Sequence, residues 1–280
     1  MLRTVFTRRY SMLKKISTSV LFCASVMAFT SFLGCGESNP LGSTSSTNLE
    51  KKYTQHLERT LDGLGVSVLE ARTTNGGITL DGSSGNRVTV HIKKEVRAST
   101  VEEAKAFAQT IQIHVERNGS EIKIYKEYPK PPKHIQVEVT YQIQSPSGID
   151  TRLSTINGGI QIRGIDGRVE AATLNGSVDL QGGAGRVDLS SINGDIDASI
   201  KTLKEMGRFF TTNGSVEVAL PANFSGQLDA QTTNGRVSCA FPISASSGNP
   251  QRRLVGPLGG GGNTRVILRT TNGNVDLKRQ

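Results

Sequence analysis

The chain has 280 residues, of which 35% are hydrophobic, 5% are aromatic and 31 are Gly, with no Trp. Its formal charge is +9, from 33 Lys and Arg against 24 Asp and Glu. No Lys/Arg cluster is interleaved with aromatic residues, which speaks against a nucleic-acid-binding protein.

The first segment is a targeting pattern. Arg3, Arg8, Arg9, Lys14 and Lys15 form a basic stretch with no acidic residue, followed by the apolar run "ISTSVLFCASVMAFTSFLG". This layout predicts a secretory signal peptide over residues 1–34. Met12 is a second candidate start. Without the signal the 33 basic residues fall by five to 28, against 24 acidic, so the remaining charge is about +4. The run ends in "FLGCGES", which resembles the lipobox of bacterial lipoproteins. That resemblance implies cleavage before Cys35 and its lipidation, with palmitate-type acyl chains. Phe32 and Leu33 depart from the usual pattern, and a plain signal peptide or an uncleaved anchor is the alternative. Residues 35–52, "CGESNPLGSTSSTNLEKK", then read as the lipidated Cys and a flexible polar tether. Cys239 would be the one thiol left, so a lipidated mature chain has no internal disulfide. In "GRVSCAF" it reads as a small buried hydrophobe.

Residues 53–147 are expected to be β-rich with one helix. "GVSVLEARTTNGGITLDGSSGNRVTVHIKKEV" reads as short strands broken at Asn75-Gly76 and Gly85-Asn86. "ASTVEEAKAFAQT" predicts a helix near residues 100–110, with Ser99 or Thr100 capping it and Glu102 or Glu103 closing a capping box. "IQIHVERNGSEIKIYKEY" reads as a hairpin turning at Asn118-Gly119. The prolines of "YPKPPKHI" break the pattern, and "IQVEVTYQIQSP" is another alternating strand.

The repeat occupies residues 148–280. Asn-Gly recurs at Asn157, Asn175 and Asn193, eighteen residues apart, with Asp166-Gly167 and Ala184-Gly185 between them. Ile160, Val169, Val178, Val187 and Ile196 share one position. Ile162, Ala171, Leu180, Leu189 and Ala198 share the position two later, on the same face of a strand. After the insertion "KTLKEMGRFF" the signal returns at Asn213, Asn234 and Asn272, and Asn75 carries it upstream. The Gly-rich "LVGPLGGGGNT" reads as a flexible loop; it lacks the Lys and helix of a phosphate cradle.

Three architectures are compatible with turns at this spacing. In a meander, alternate turns lie two strand spacings apart, about 9–10 Å, and give no reason to be alike. In a coil with one rung per eighteen residues, equivalent positions stack at about 4.8 Å, and Asn amides can bond rung to rung. A calcium β-roll needs Asp in the turn where this chain has Ile162, Ala171, Leu180 and Leu189. The pattern therefore predicts an all-β fold: a β-solenoid, a right-handed β-helix-like stack of ~18-residue rungs, with Asn157, Asn175 and Asn193 as a structural ladder.

The recurrent T-x-N-G-x-V/I-x-L units, and "ALP" after one of them, resemble the bacterial DUF4097 family of candidate adhesins and its relative, the head GIN domain. The resemblance covers roughly residues 57–280. It implies a right-handed β-helix-like fold on exported or membrane-anchored proteins, and it brings no catalytic residues and no cofactor.

For chemistry, stacked rungs place Glu170 beside Asp188 on one side, with Arg168 and Arg186 near. They place Asp179 beside Asp197 on the other, with Asp195 close and only Arg163 to balance them. Asp179, Asp195 and Asp197 are thus weak candidates for a cation site. His56, His91, His114 and His134 form no ligand motif. The expectation is a non-enzyme: an envelope lipoprotein, at the outer membrane if the cell is Gram-negative, binding a protein or glycan partner. A polysaccharide-active enzyme using the acidic row is the alternative, and a spacer or scaffold is a third reading.

Overall fold

The computed structural model describes residues 51–280 apart from residue 184, residues 244–248 and residue 250. The expected signal peptide, Cys35 and nearly all of the tether lie outside the described residues. The elements run β1 (Lys51–Asp62), β2 (Val68–Arg72), β3 (Ile78–Ser83), β4 (Arg87–Ala98), α1 (Val101–Thr110), β5 (Gln112–Asn118), β6 (Glu121–Glu127) and β7 (Gln136–Pro146). The repeat follows as β8 (Asp150–Asn157), β9 (Ile160–Arg163), β10 (Val169–Asn175), β11 (Val178–Gln181), β12 (Val187–Asn193), β13 (Ile196–Ser199), β14 (Met206–Phe210) and β15 (Val216–Leu220). The chain closes with β16 (Gly226–Asn234), β17 (Val237–Cys239), β18 (Arg253–Leu258), β19 (Arg265–Asn272) and β20 (Val275–Arg279).

These strands form two sheets, ordered β1-β4-β7-β3-β9-β11-β13-β15-β20-β17 and β18-β16-β19-β14-β12-β10-β8-β2-β6-β5. Each full rung contributes one strand to each sheet, joined by the Asn-Gly corner. Val169, Ala171 and Thr173 of β10 point inward, as do Val178 and Leu180 of β11, and a single apolar core runs between the sheets. Among the named strands pairing is parallel through the stack and antiparallel for β1–β4, β4–β7, β5–β6 and β16–β18. The fold is a nearly all-β solenoid.

Residues 53–147 and 148–280 share both sheets, because β2 and β3 pair with β8 and β9. The Asn75 corner is thus the first of the stack, and β4–β7 with α1 build its N-terminal end. Thr100 caps α1, its hydroxyl accepting the Glu103 amide at 3.1 Å. At the other end of that helix, Lys94 Nζ donates to the carbonyls of Ala108 and Ile111, both at 3.2 Å. Lys94 is 5% exposed, and burial lowers its pKa, with Arg59 adding repulsion.

Three segments differ from the sequence reading. The strand β1 takes in Lys51 and Lys52, which were expected in the tether; it is an edge strand whose mixed burial hides its alternation. Residues Leu254–Leu258, read as part of a loop, belong to β18, which pairs with β16. Gly256 and Pro257 are tolerated there because the strand is an edge. Finally, the rungs are not stacked in chain order. The last rung, β19–β20, lies between β14–β15 and β16–β17.

Candidate functional site

The T-x-N-G corner is built from four interactions that repeat down the stack. The Asn side chains form one head-to-tail ladder. Asn157 Nδ2 donates to Asn75 Oδ1 at 2.7 Å, Asn175 to Asn157 at 2.7 Å and Asn193 to Asn175 at 2.8 Å. Asn213 then donates to Asn193 at 2.7 Å, Asn272 to Asn213 at 2.7 Å and Asn234 to Asn272 at 2.8 Å. The Asn75 amide ends the row on the Val137 carbonyl at 3.2 Å. The backbone bonds run the opposite way: the amides of Gly76, Gly158, Gly176, Gly194, Gly214 and Gly273 each donate to the Asn carbonyl of the next rung.

The Thr and the Gly of the motif are explained by the same corner. Thr155, Thr173, Ser191, Thr211, Thr270 and Thr232 are buried, and each hydroxyl donates to the corner-glycine carbonyl of the neighbouring rung at 2.7–3.0 Å. A buried hydroxyl without such a partner would be costly. A Cβ on Gly158, Gly176, Gly194, Gly214 or Gly273 would sit 2.1–2.2 Å from the glycine carbonyl oxygen of the rung before. Only glycine permits the close rung-to-rung approach. One residue beyond the glycine, side-chain oxygens accept amides in turn: Ser177 from Asp195, Asp195 from Ser215, Ser215 from Asn274 and Asn274 from Arg236.

The acidic row lies on the outer face of the β11 sheet. Asp179, Asp197, Glu217 and Asp276 are register partners in successive rungs. Burial raises the pKa of Asp197, and Glu217, Asp195 and Asp179 reinforce the shift, with Lys278 opposing it. Lys278 pairs with Glu217, and Ser238 hydrogen-bonds Asp276. Asp195 belongs to the corner: its Oδ1 accepts the Ser215 amide at 2.7 Å. Arg163, read as the local counter-charge, instead meets Asp81 at 3.6 Å. Among the described residues no group of three or more His, Cys, Asp or Glu is placed to hold a metal ion. On the other sheet Glu170 does lie beside Asp188. Arg186 and Arg208 flank Asp188 at 3.8 and 3.7 Å, while Arg168 reaches Glu205 at 3.6 Å. Cys239 is half-buried, and burial raises its thiol pKa.

A cleft opens at the N-terminal end, where the Asn ladder begins. It encloses about 350 Å³ and is lined by Asn75, Glu95, Arg97, Tyr128, Ile135, Gln136 and Glu138, among others. The Glu95 side chain is 5% exposed, with Arg97 at 2.7 Å, Lys93 at 3.0 Å and Lys52 at 3.5 Å. Burial alone would raise its pKa; the bonds from Lys93 and Arg97 and the charges of Lys93 and Lys52 outweigh that and hold it at about 2. Behind the cleft, Lys126 Nζ donates to the Asn75 carbonyl at 3.3 Å and lies 5.5 Å from the Tyr128 ring centre. Burial lowers the Lys126 pKa to about 8 against the opposing charge of Glu138. Tyr128 also meets Phe107 of α1 edge-on, with centroids 6.3 Å apart.

The family model of the Toastrack DUF4097 proteins matches residues 42–278. The chain belongs to that family. Solved structures similar to this Toastrack chain include a candidate cell-adhesion protein from Clostridium sporogenes, 12% identical, covering 81% of this chain and 100% of that one, with a TM-score of 0.46. A candidate adhesin from Bacteroides fragilis is 9% identical, covering 80% and 97%, at 0.28. A candidate lipid-binding protein from Parabacteroides distasonis is 11% identical, covering 81% and 97%, at 0.25. No curated protein matches the sequence.

The sequence of this Toastrack chain did not point to the cleft. Its lining comes from the Asn75 corner, β4, the Pro-rich connection and β7, which only the fold brings together. The "YPKPPKHI" segment marks a break in the strand pattern, but nothing in it says that Tyr128 lies near Glu95.

Proposed function

We propose that the chain is an exported lipoprotein, held to a bacterial membrane through acylated Cys35, whose solenoid is a non-catalytic surface for binding a protein or glycan in the cell envelope. The observation that carries the binding reading is the corner ladder. Its amides, hydroxyls and glycine carbonyls are all engaged with neighbouring rungs, so the edge is a fixed surface and not a set of free reactive groups. The acidic row fits the same reading: Asp195 serves the turn, and Glu217 and Asp276 are occupied by Lys278 and Ser238. Support for the anchor is the basic stretch, apolar run and Cys of residues 1–35.

Two experiments test this. Cys35→Ser should move the protein from the membrane to the soluble fraction and abolish the acyl mass. A wild-type protein that is soluble and keeps its unprocessed mass contradicts the anchor. Purified wild type should cleave no polysaccharide; cleavage abolished by Asp179→Asn or Asp197→Asn would replace the binding reading with the enzymatic one.

A further inference from the structure

We infer that the cleft at the N-terminal end of the ladder binds the end of a neutral glycan. This rests on the binding-surface reading above and assigns it a site. The volume, about 350 Å³, is at the small end of ligand sites, roughly 300–1,000 Å³. It suits the tip of a chain better than a long run of it.

The chemistry of the lining selects the ligand class. Sugar hydroxyls both donate and accept, so they need both kinds of partner. Here the acceptor is the carboxylate of Glu138, the donor is the Arg97 guanidinium that Glu95 holds in place, and the Asn75 and Gln136 amides can do either. Tyr128 and Pro131, both half-buried, supply aromatic and apolar surface for the C–H faces of a sugar ring. Other classes fit less well. A bound anion would face the Glu138 carboxylate, and the Arg97 guanidinium that could attract it is already paired with Glu95. A cation would compete with Lys52, Lys93 and Arg97, which already surround Glu95. An extended peptide would need an open sheet edge, but β4 lies between β1 and β7 and offers none.

The site is also held rigidly enough to select. Arg97 is fixed by two bonds to Glu95, at 3.1 Å from Nε and 2.7 Å from the terminal nitrogen. Asn75 is fixed by Asn157, by Val137 and by Lys126. Tyr128 is braced by Phe107. Preorganised donors and an aromatic ring reduce the ordering cost of binding.

The test is an immobilised array of neutral, sialylated and sulfated oligosaccharides, probed with the full chain in detergent. Wild type should retain neutral glycans. Glu138→Gln and Tyr128→Ala should each lose at least tenfold, while Asp179→Asn keeps wild-type retention. Glu138→Gln guards against misfolding, because Glu138 is half-buried and nearly isosteric with Gln; the variant should keep a single cooperative melting transition even though Lys126 loses a neighbouring charge. Neutral glycans retained equally by wild type and both cleft variants would overturn the cleft while leaving the binding-surface reading intact. Preference for sialylated or sulfated glycans, or no retention at all by folded wild type, would overturn the glycan assignment itself.

Discussion

From Asp150 to Leu220 each corner repeats the same bonds; from Arg87 to Pro146 the polar contacts are singular. In the middle of the stack a buried Thr hydroxyl meets a glycine carbonyl, and an Asn amide meets the next Asn, because identical residues arrive at a spacing of about 4.8 Å. At the N-terminal end there is no further rung to supply partners. Lys94 satisfies the last carbonyls of α1, Glu95 is surrounded by three cations, and Asn75 turns to a backbone carbonyl. Repetition makes polar burial cheap in the interior; the end uses buried charges instead, and this is also where the shifted Lys126 and Glu95 and the cleft occur.

The difference can be broken most severely in the middle. Gly176→Ala places a methyl 2.1 Å from the Gly158 carbonyl oxygen, so the rungs must part. A loss of about 3 kcal/mol or more is expected in denaturant unfolding, with neighbouring glycines behaving alike. At the end, Lys94→Met should cost about 1–3 kcal/mol by removing the bonds to the Ile111 and Ala108 carbonyls, the second of which keeps only the 3.4 Å bond from the Ile111 amide. Glu95 adds a pH signature. Its folded pKa of about 2 lies below the ordinary 4.5, so its stabilisation is full above pH 4.5 and is lost as pH falls towards 2. In Glu95→Gln that part of the acid transition should disappear.

Finer comparisons follow within the ladder. Asn175 both donates and accepts, whereas Asn234 at the far end only donates. Asn175→Ala should cost about 1–2 kcal/mol and Asn234→Ala about half of that, since each exposed bond contributes about 0.5–1 kcal/mol. Equal losses would show that the amides act singly and not as a row. The smallest effect belongs to the acidic row. The Asp197 pKa is raised in the fold, so its charged form is disfavoured and stability declines as pH rises through its titration. Asp197→Asn should raise stability at neutral pH by about 0.2–1 kcal/mol.

Much of the repeat was readable because it is periodic. Asn157, Asn175 and Asn193 announced the corner, and Val178 and Leu180 its inward face, since period two and period eighteen are both visible in one chain. The order of the later rungs was not. Thr-Thr-Asn-Gly at 211–214, 232–235 and 270–273 is the same signal three times, and identical signals cannot say which rung lies between which. The insertion of β19–β20 is settled by tertiary pairing alone. The strand β1 was missed in part because an edge strand with an exposed face shows little alternation. At Arg163 the sequence suggested a charge beside the acidic row, but Asp81 arrives from a rung more than eighty residues earlier.

The order of the stack is tested most directly by hydrogen exchange at residues 265–279. As an interior rung, bonded on one side to β14–β15 and on the other to β16–β17, the C-terminal segment should exchange as slowly as residues 206–220, and Val266, Leu268, Val275 and Leu277 should be among the slowest amides. Rapid exchange through residues 265–279, with residues 226–239 remaining protected, would contradict the intercalated rung and with it the continuous ladder from Asn75 to Asn234.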